Sequence, residues 1–144
     1  MSWKNIVVGI DGSEQSENAL RAAIDLAKGI NAHIQITAVY TNPTMLGFLP
    51  PYAPQVPEEV AATLEQMVKK YSDFCRREGW QSVSSKVLAS WSTPGGALIA
   101  EAEKLEKSVI IVGARGVTGL KRTLLGSVAE YVAKNSDCDV IIIK

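Results

Sequence analysis

The chain has 144 residues, 47% hydrophobic and 21% charged, and its fifteen basic side chains balance fifteen acidic ones. That length suits one domain, residues 1–144, with a real core. Zero net charge gives no general case for nucleic acid or an anionic membrane, so any electrostatic function must be local. No apolar run approaches the ~20 residues that cross a bilayer, and "MSWKNIVVGIDGS" lacks a charged leader before a long apolar segment. Cys75 and Cys138 show no zinc spacing and read as free thiols in a reducing compartment, so the expected location is cytoplasmic.

"NIVVGI", residues 5–10, is a short β-branched run and predicts a buried strand. "DGSEQSE" then starts a helix carrying Leu20, Ala23, Ile24 and Ala27 at helical spacing, with Gly29 as its expected stop. "HIQITAVY", residues 33–40, alternates as a second strand. Residues 41–57 hold five of the six prolines and read as a loop, apolar enough at Met45, Leu46, Phe48, Leu49 and Tyr52 to pack on something. A long helix follows with Val60, Leu64, Met67, Val68, Tyr71, Phe74 and Cys75 on one stripe, and Gly79 ends it. "SSKVLAS", residues 84–90, is a third strand. Thr93-Pro94 reads as an N-cap with proline at the first helical position, before a helix with Leu98, Ala102 and Leu105. "SVIIV", residues 108–112, is a fourth buried strand. A helix with Val128, Ala129 and Val132 leads to "DVIIIK", residues 139–144, the fifth strand. This β-α alternation predicts one parallel sheet with helices on both faces.

Between the fourth strand and the last helix lies "GARGVTGLKRTLLGS", residues 113–127, with four glycines, three basic residues and no acid. In an open parallel sheet, ligands sit beyond the carboxyl ends of the strands, where helix N-termini offer free N–H groups. Glycine lets backbone curl around an anion, and Gly113, Gly116, Gly119 and Gly126 suit that need. Ser127 is a candidate N-cap and phosphate donor, and Arg115, Lys121 and Arg122 supply local charge. The other reading is a surface loop with solvated basic residues. No register supplies the P-loop pattern, and "GIDGS" lacks the middle glycine of the dinucleotide fingerprint.

Gly113, Gly116 and Gly126-Ser127 fit G-x2-G-x9-G-[ST]. With "IVVGIDGSEQSENALRAAIDLA" at one end and "LLGSVAEYVAKNSDCDVIIIK" at the other, the whole chain resembles the ATP-binding branch of the universal stress protein family. The resemblance implies a three-layer α/β sandwich, of the adenine nucleotide alpha hydrolase type, with strand order 3-2-1-4-5. It implies that Gly9, Ile10 and Asp11 after strand 1 reach ribose or base, and that Val39 meets adenine through its backbone. Val112 and Gly113 would line the ribose. Gly116 would lie under the phosphates, and Gly126, Ser127 and Val128 would close around the β- and γ-phosphates; Arg115 is a loop residue that reads either as a phosphate contact or as solvated. The implied cofactor is ATP, or ADP or AMP, with Mg2+ held through the phosphates. Asp11 reads equally as a turn residue or helix cap. The sequence departs from the family at Asp139, where proline is common, and at Lys107-Ser108, where an acid is usual.

His33 falls at the amino end of strand 2, away from the implied crevice, so no Ser-His-Asp arrangement is expected. Asp11 is the one clear carboxylate near the site. The expected function is a nucleotide-dependent regulatory protein with at most slow ATP hydrolysis. The alternative is a nucleotide-independent module binding some regulatory protein. An adenylating enzyme would want an S-G-G-x-D-S loop that "GIDGSE" does not supply. The apolar edge strand 139–144, and the resemblance, predict a homodimer paired through that strand; a monomer whose edge the 41–57 loop covers is the competing reading.

Overall fold

In a computed structural model, which describes residues 2–41, 56–90, 93–115 and 125–144, nine elements alternate. They are β1 (Asn5–Gly9), α1 (Glu14–Ile30), β2 (His33–Thr41), α2 (Glu58–Arg77), β3 (Val83–Ser90), α3 (Pro94–Glu103), β4 (Ser108–Gly113), α4 (Ser127–Asn135) and β5 (Asp139–Ile143). The strands form one parallel sheet in the order β3-β2-β1-β4-β5. The prolines of the 41–57 segment and its apolar residues 45–52 lie outside the described residues, apart from Pro57.

Alternation along the strands divides the core. Ile6, Val8, Ile34, Ile36, Val109 and Ile111 face α1 and α2. Val7, Ile110 and Val112 face α3 and α4. Both faces of the central strands are covered, so β1 and β4 read as continuous apolar runs rather than alternating ones.

Helix boundaries follow local chemistry. Ser13 caps α1, its hydroxyl accepting from the Ser16 N–H at 3.2 Å. Thr93 caps α3 by accepting from the Gly96 N–H at 3.1 Å, with Pro94 opening the helix. Gly79, at φ +92, follows the end of α2 as expected. The expected stop at Gly29 is corrected: α1 runs through it to Ile30, and Asn31 at φ 57 closes the helix by donating its N–H to the Ala27 carbonyl. Asparagine tolerates the left-handed region, so it does here what glycine does elsewhere. Lys107 takes φ 49 in the turn before β4, where its carbonyl accepts from the Lys4 and Asn5 N–H groups.

Candidate functional site

The carboxyl ends of β1 and β4 lie side by side, where the strand order reverses. The turn after β1 runs back toward β2, and the loop after β4 runs toward β5. A cleft of about 290 Å3 opens between them, near the lower bound of ligand-site volumes, about 300–1,000 Å3. Gly9, Ile10 and Asp11 line it from the first turn, and Val39 from β2. Val112, Gly113 and Arg115 line it from the end of β4. Gly126, Ser127 and Val128 line it from the start of α4. Gly116 and the basic residues Lys121 and Arg122 lie outside the described residues.

Asp11 is held by its own turn. Its Oδ1 accepts from the Ser13 N–H at 2.9 Å, and Gly12 takes φ +85 to make the turn possible. The Asp11 N–H points to the Ser16 hydroxyl at 3.4 Å, while that hydroxyl donates to the Ser13 carbonyl at 3.0 Å. So Asp11 is a turn residue that also borders the cleft.

The two described glycines of the pattern have ordinary backbone, and the expectation of Ser127 as N-cap is corrected. Gly113 does not take positive φ. A Cβ there would come within 2.9 Å of the Gln15 backbone, so glycine at 113 lets the first turn of α1 pass close over the end of β4. Gly126 has φ −65 and ψ 162, which any residue adopts. It is also the N-cap position, which places Ser127 at the first helical residue rather than at the cap. The Gly126 N–H donates to the Ala114 carbonyl at 2.6 Å, pinning the two ends of the 115–125 segment together.

Among the described residues no side chain caps the start of α4, as at α2 and unlike at α1 and α3. The first N–H groups of a helix have no internal partner and carry a partial positive charge, so an uncapped N-terminus facing a cleft suits an anion. Arg115 adds a full charge to the same end. Val39, Pro94 and Leu98 give the cleft apolar walls from β2 and α3. The cleft therefore has both apolar walls and a helix N-terminus among its lining.

Ser16, Thr37, Pro94, Leu98 and Ala129 also line the cleft but were not singled out in the sequence. Leu98 carries the helical spacing of a core residue, which it also is. Ser16 follows Ser13 in a capping turn, and nothing local marks it as cleft-facing. Thr37 belongs to a buried polar row. The Gln35 amide donates to Thr37 Oγ1 at 3.3 Å and to Glu101 Oε1 at 3.1 Å. Lys86 and Lys104 donate to the two Glu101 oxygens at 2.9 and 2.8 Å. Burial would raise the Glu101 carboxyl, but the bonds from Lys104, Lys86 and Gln35 outweigh it and hold the group down at about 2. An apolar helix face gives no sign that its one acid is buried and matched from two strands.

His33 sits at the amino end of β2, on the far side of the sheet from the cleft. Its ring nitrogens meet the Ser82 and Ser84 hydroxyls at 2.9 and 2.8 Å, and burial lowers its pKa. Among the described residues no group of three His, Cys, Asp or Glu side chains could hold a metal ion, and no helix is long and apolar enough to cross a membrane.

Residues 2–144 match the family model described as the universal stress protein family. The universal stress protein YxiE of Bacillus subtilis is 30% identical over 152 residues, covering 99% of both chains. Among solved structures, a universal stress protein in complex with cAMP has a TM-score of 0.76 at 24% identity, covering 100% of this chain and 99% of the other. The universal stress protein from Archaeoglobus fulgidus in complex with dAMP has a TM-score of 0.70 at 22% identity, covering 100% of both. Strand order and the full-length sequence match agree, and the chain belongs to the universal stress protein family.

Proposed function

We propose that the chain binds an adenine nucleotide in the β1–β4 cleft and belongs to the ATP-binding branch of its family. The observation that carries this is the N-terminus of α4, without a side-chain cap among the described residues, at a cleft that also has the apolar walls Val39, Pro94 and Leu98. The base lies against Val39, Pro94 and Leu98. The ribose lies near Asp11, Val112 and Gly113. The phosphates meet Arg115 and the N–H groups of Ser127 and Val128 at the start of α4, with Gly126 at its cap and Gly116 as the remaining glycine of the pattern. Two structural neighbours that bind cAMP and dAMP support an adenine nucleotide rather than another ligand class.

The described residues offer a single carboxylate to the cleft, Asp11, so Mg2+ arrives with the triphosphate and is held through its oxygens. Asp11 and Arg115 can orient and neutralise a nucleotide. Among the described residues neither has a second proton-transfer group beside it in the cleft lining, and we read the protein as a nucleotide-dependent regulator with at most slow hydrolysis. A regulatory protein partner would read the occupied state. The free thiols Cys75 and Cys138 suit a reducing cytoplasm. We also propose a homodimer through β5.

The test is direct. Purified protein is denatured and its supernatant analysed for adenine nucleotide, and the melting temperature is measured with and without Mg-ATP. Co-purified nucleotide or a saturable upward shift is expected. Absence of both would overturn the nucleotide function and favour a nucleotide-independent module.

A further inference from the structure

A second cleft lies on the other face of the sheet, between α1 and α2. It holds about 60 Å3, room for a few heavy atoms and too little for a nucleoside. Glu17 and Arg21 reach it from α1, and Lys70, Tyr71, Phe74 and Arg77 from α2. Arg21, Lys70 and Arg77 are exposed. Among the described residues none of these three makes an ion pair, whereas their neighbours Lys69 and Arg76 are both paired with Asp73. Two of the three are steadied by aromatic rings. The Arg21 guanidinium lies over Phe74 at 4.8 Å, and the Lys70 ammonium lies 5.5 Å from the Tyr71 centroid. A stacked guanidinium keeps its N–H edge available for a planar or tetrahedral anion, with less rotamer freedom left to lose. The one acid, Glu17, is engaged as acceptor to the Tyr71 hydroxyl at 3.1 Å.

We propose that this α1–α2 cleft is a binding site for a phosphoryl group. The charge arithmetic selects that class. Three cations against Glu17 leave a local charge of +2 in a protein of zero net charge. A phosphoryl group carries about −1.5 to −2 near neutral pH and neutralises it, while a single carboxylate leaves half of it uncompensated. Two arginines in the set favour a group that accepts forked hydrogen bonds. The phosphoryl group comes either from free phosphate or from a phosphorylated segment of another protein. The site is separate from the nucleotide cleft, although the two are adjacent on α1: Ser16 lines one and Glu17 the other.

The test uses the full chain, isotopically labelled, with the Nε–H signals of Arg21 and Arg77 followed at constant ionic strength. The titrants are inorganic phosphate, a phosphoserine peptide and the same peptide unphosphorylated. Saturable shifts at Arg21 and Arg77 are expected with the first two and not the third. Affinity should fall at least about tenfold in Arg21→Gln/Arg77→Gln. A tighter phosphopeptide assigns the site to a protein-borne group, and equal affinities assign it to free phosphate. Should the double variant fail to fold, Glu17→Gln keeps the acceptor for Tyr71 and raises the local charge, so it should bind phosphate more tightly than wild type. Shifts that do not saturate, that saturate only at Arg115 and Ser127, or that follow the unphosphorylated peptide equally would overturn the proposal. So would a folded double variant, or Glu17→Gln, with unchanged affinity.

Discussion

A methyl group added at Gly113 would press on the Gln15 backbone at 2.9 Å, and backbone yields less readily than a side-chain tip. Gly113→Ala should therefore destabilise the apo protein by about 1–3 kcal/mol, read as a lower melting temperature. An unchanged melting temperature would mean that β4 and α1 are not in close register there. Gly113 was legible in the sequence as a pattern glycine, but the close approach of α1, a further reason for glycine there, was not. Pattern reading identifies positions where a side chain is unwelcome, and it does not say which neighbour excludes it. Glu101 was not legible as buried, because Gln35 and Lys86 reach it from β2 and β3 and only Lys104 is a sequence neighbour. It makes a pH prediction. Its pKa falls from 4.5 unfolded to about 2 folded, so its contribution is present above pH 4.5 and is lost as pH falls through about 2. Glu101→Gln should cost about 1–3 kcal/mol at neutral pH. The stability gap to wild type should shrink between pH 4.5 and 2. A gap that stays constant across that range would show that the ionised carboxylate is not what the two lysines hold.

At the scale of elements, caps and breakers decide where helices end, and they act through φ rather than through residue type alone. Gly29 looked like the end of α1, yet it is helical and the left-handed residue is Asn31. Both residue types close helices, and the reading of Gly29 as the stop passed over Asn31 two positions on. An ideal Cβ at Gly29 meets nothing within 4 Å. Gly29→Ala should then stabilise the protein by about 0.5–1 kcal/mol, because alanine lowers the entropy of the unfolded chain and fits the helical backbone. Chemical denaturation measures it, and a midpoint that stays put or falls would mean that Gly29 is needed for the turn into Asn31. The start of α4 teaches the converse. "GS" before an apolar periodic run suggested serine as the cap, but the helix begins one residue earlier and glycine takes the cap position without a side chain to fill it. A cap that is missing leaves no letter in the sequence, although it leaves helix N–H groups without a side-chain acceptor. The α3–α4 contact is similarly hidden: a Cβ at Gly95 would sit 2.9 Å from Tyr131 Cδ1, a close approach that neither helix pattern announces.

For the whole molecule, alternation of apolar runs with amphipathic helices gave a parallel sheet on physical grounds. The order 3-2-1-4-5 came only from family resemblance, because periodicity within a strand carries no information about which strand lies beside it. The completed order leaves β5 as an edge, and the register says which of its backbone groups are free. Ile143 pairs with Gly113, and its carbonyl accepts from the Ala114 N–H at 2.7 Å. In a parallel ladder the polar groups of alternate residues point to the same side. Asp139, Ile141 and Ile143 thus turn their N–H and C=O groups toward β4, and Val140 and Ile142 turn theirs to the open edge. The side chains are less free than the backbone. Val140 and Ile142 pack on the α4 face and Ile141 and Ile143 on the α1 face, so lysines at 140 and 142 would damage the core before they reported on an interface. Proline at 142 is the cleaner probe. It removes an outward N–H, as edge strands tolerate, and keeps an apolar side chain. If two copies pair through β5 about a two-fold axis, wild type should sediment as a dimer. Ile142→Pro should sediment as a monomer with an unchanged circular dichroism spectrum. A wild-type monomer at tens of micromolar, about the range in which a stable dimer is assembled, would end the idea. So would a folded Ile142→Pro variant that remains dimeric.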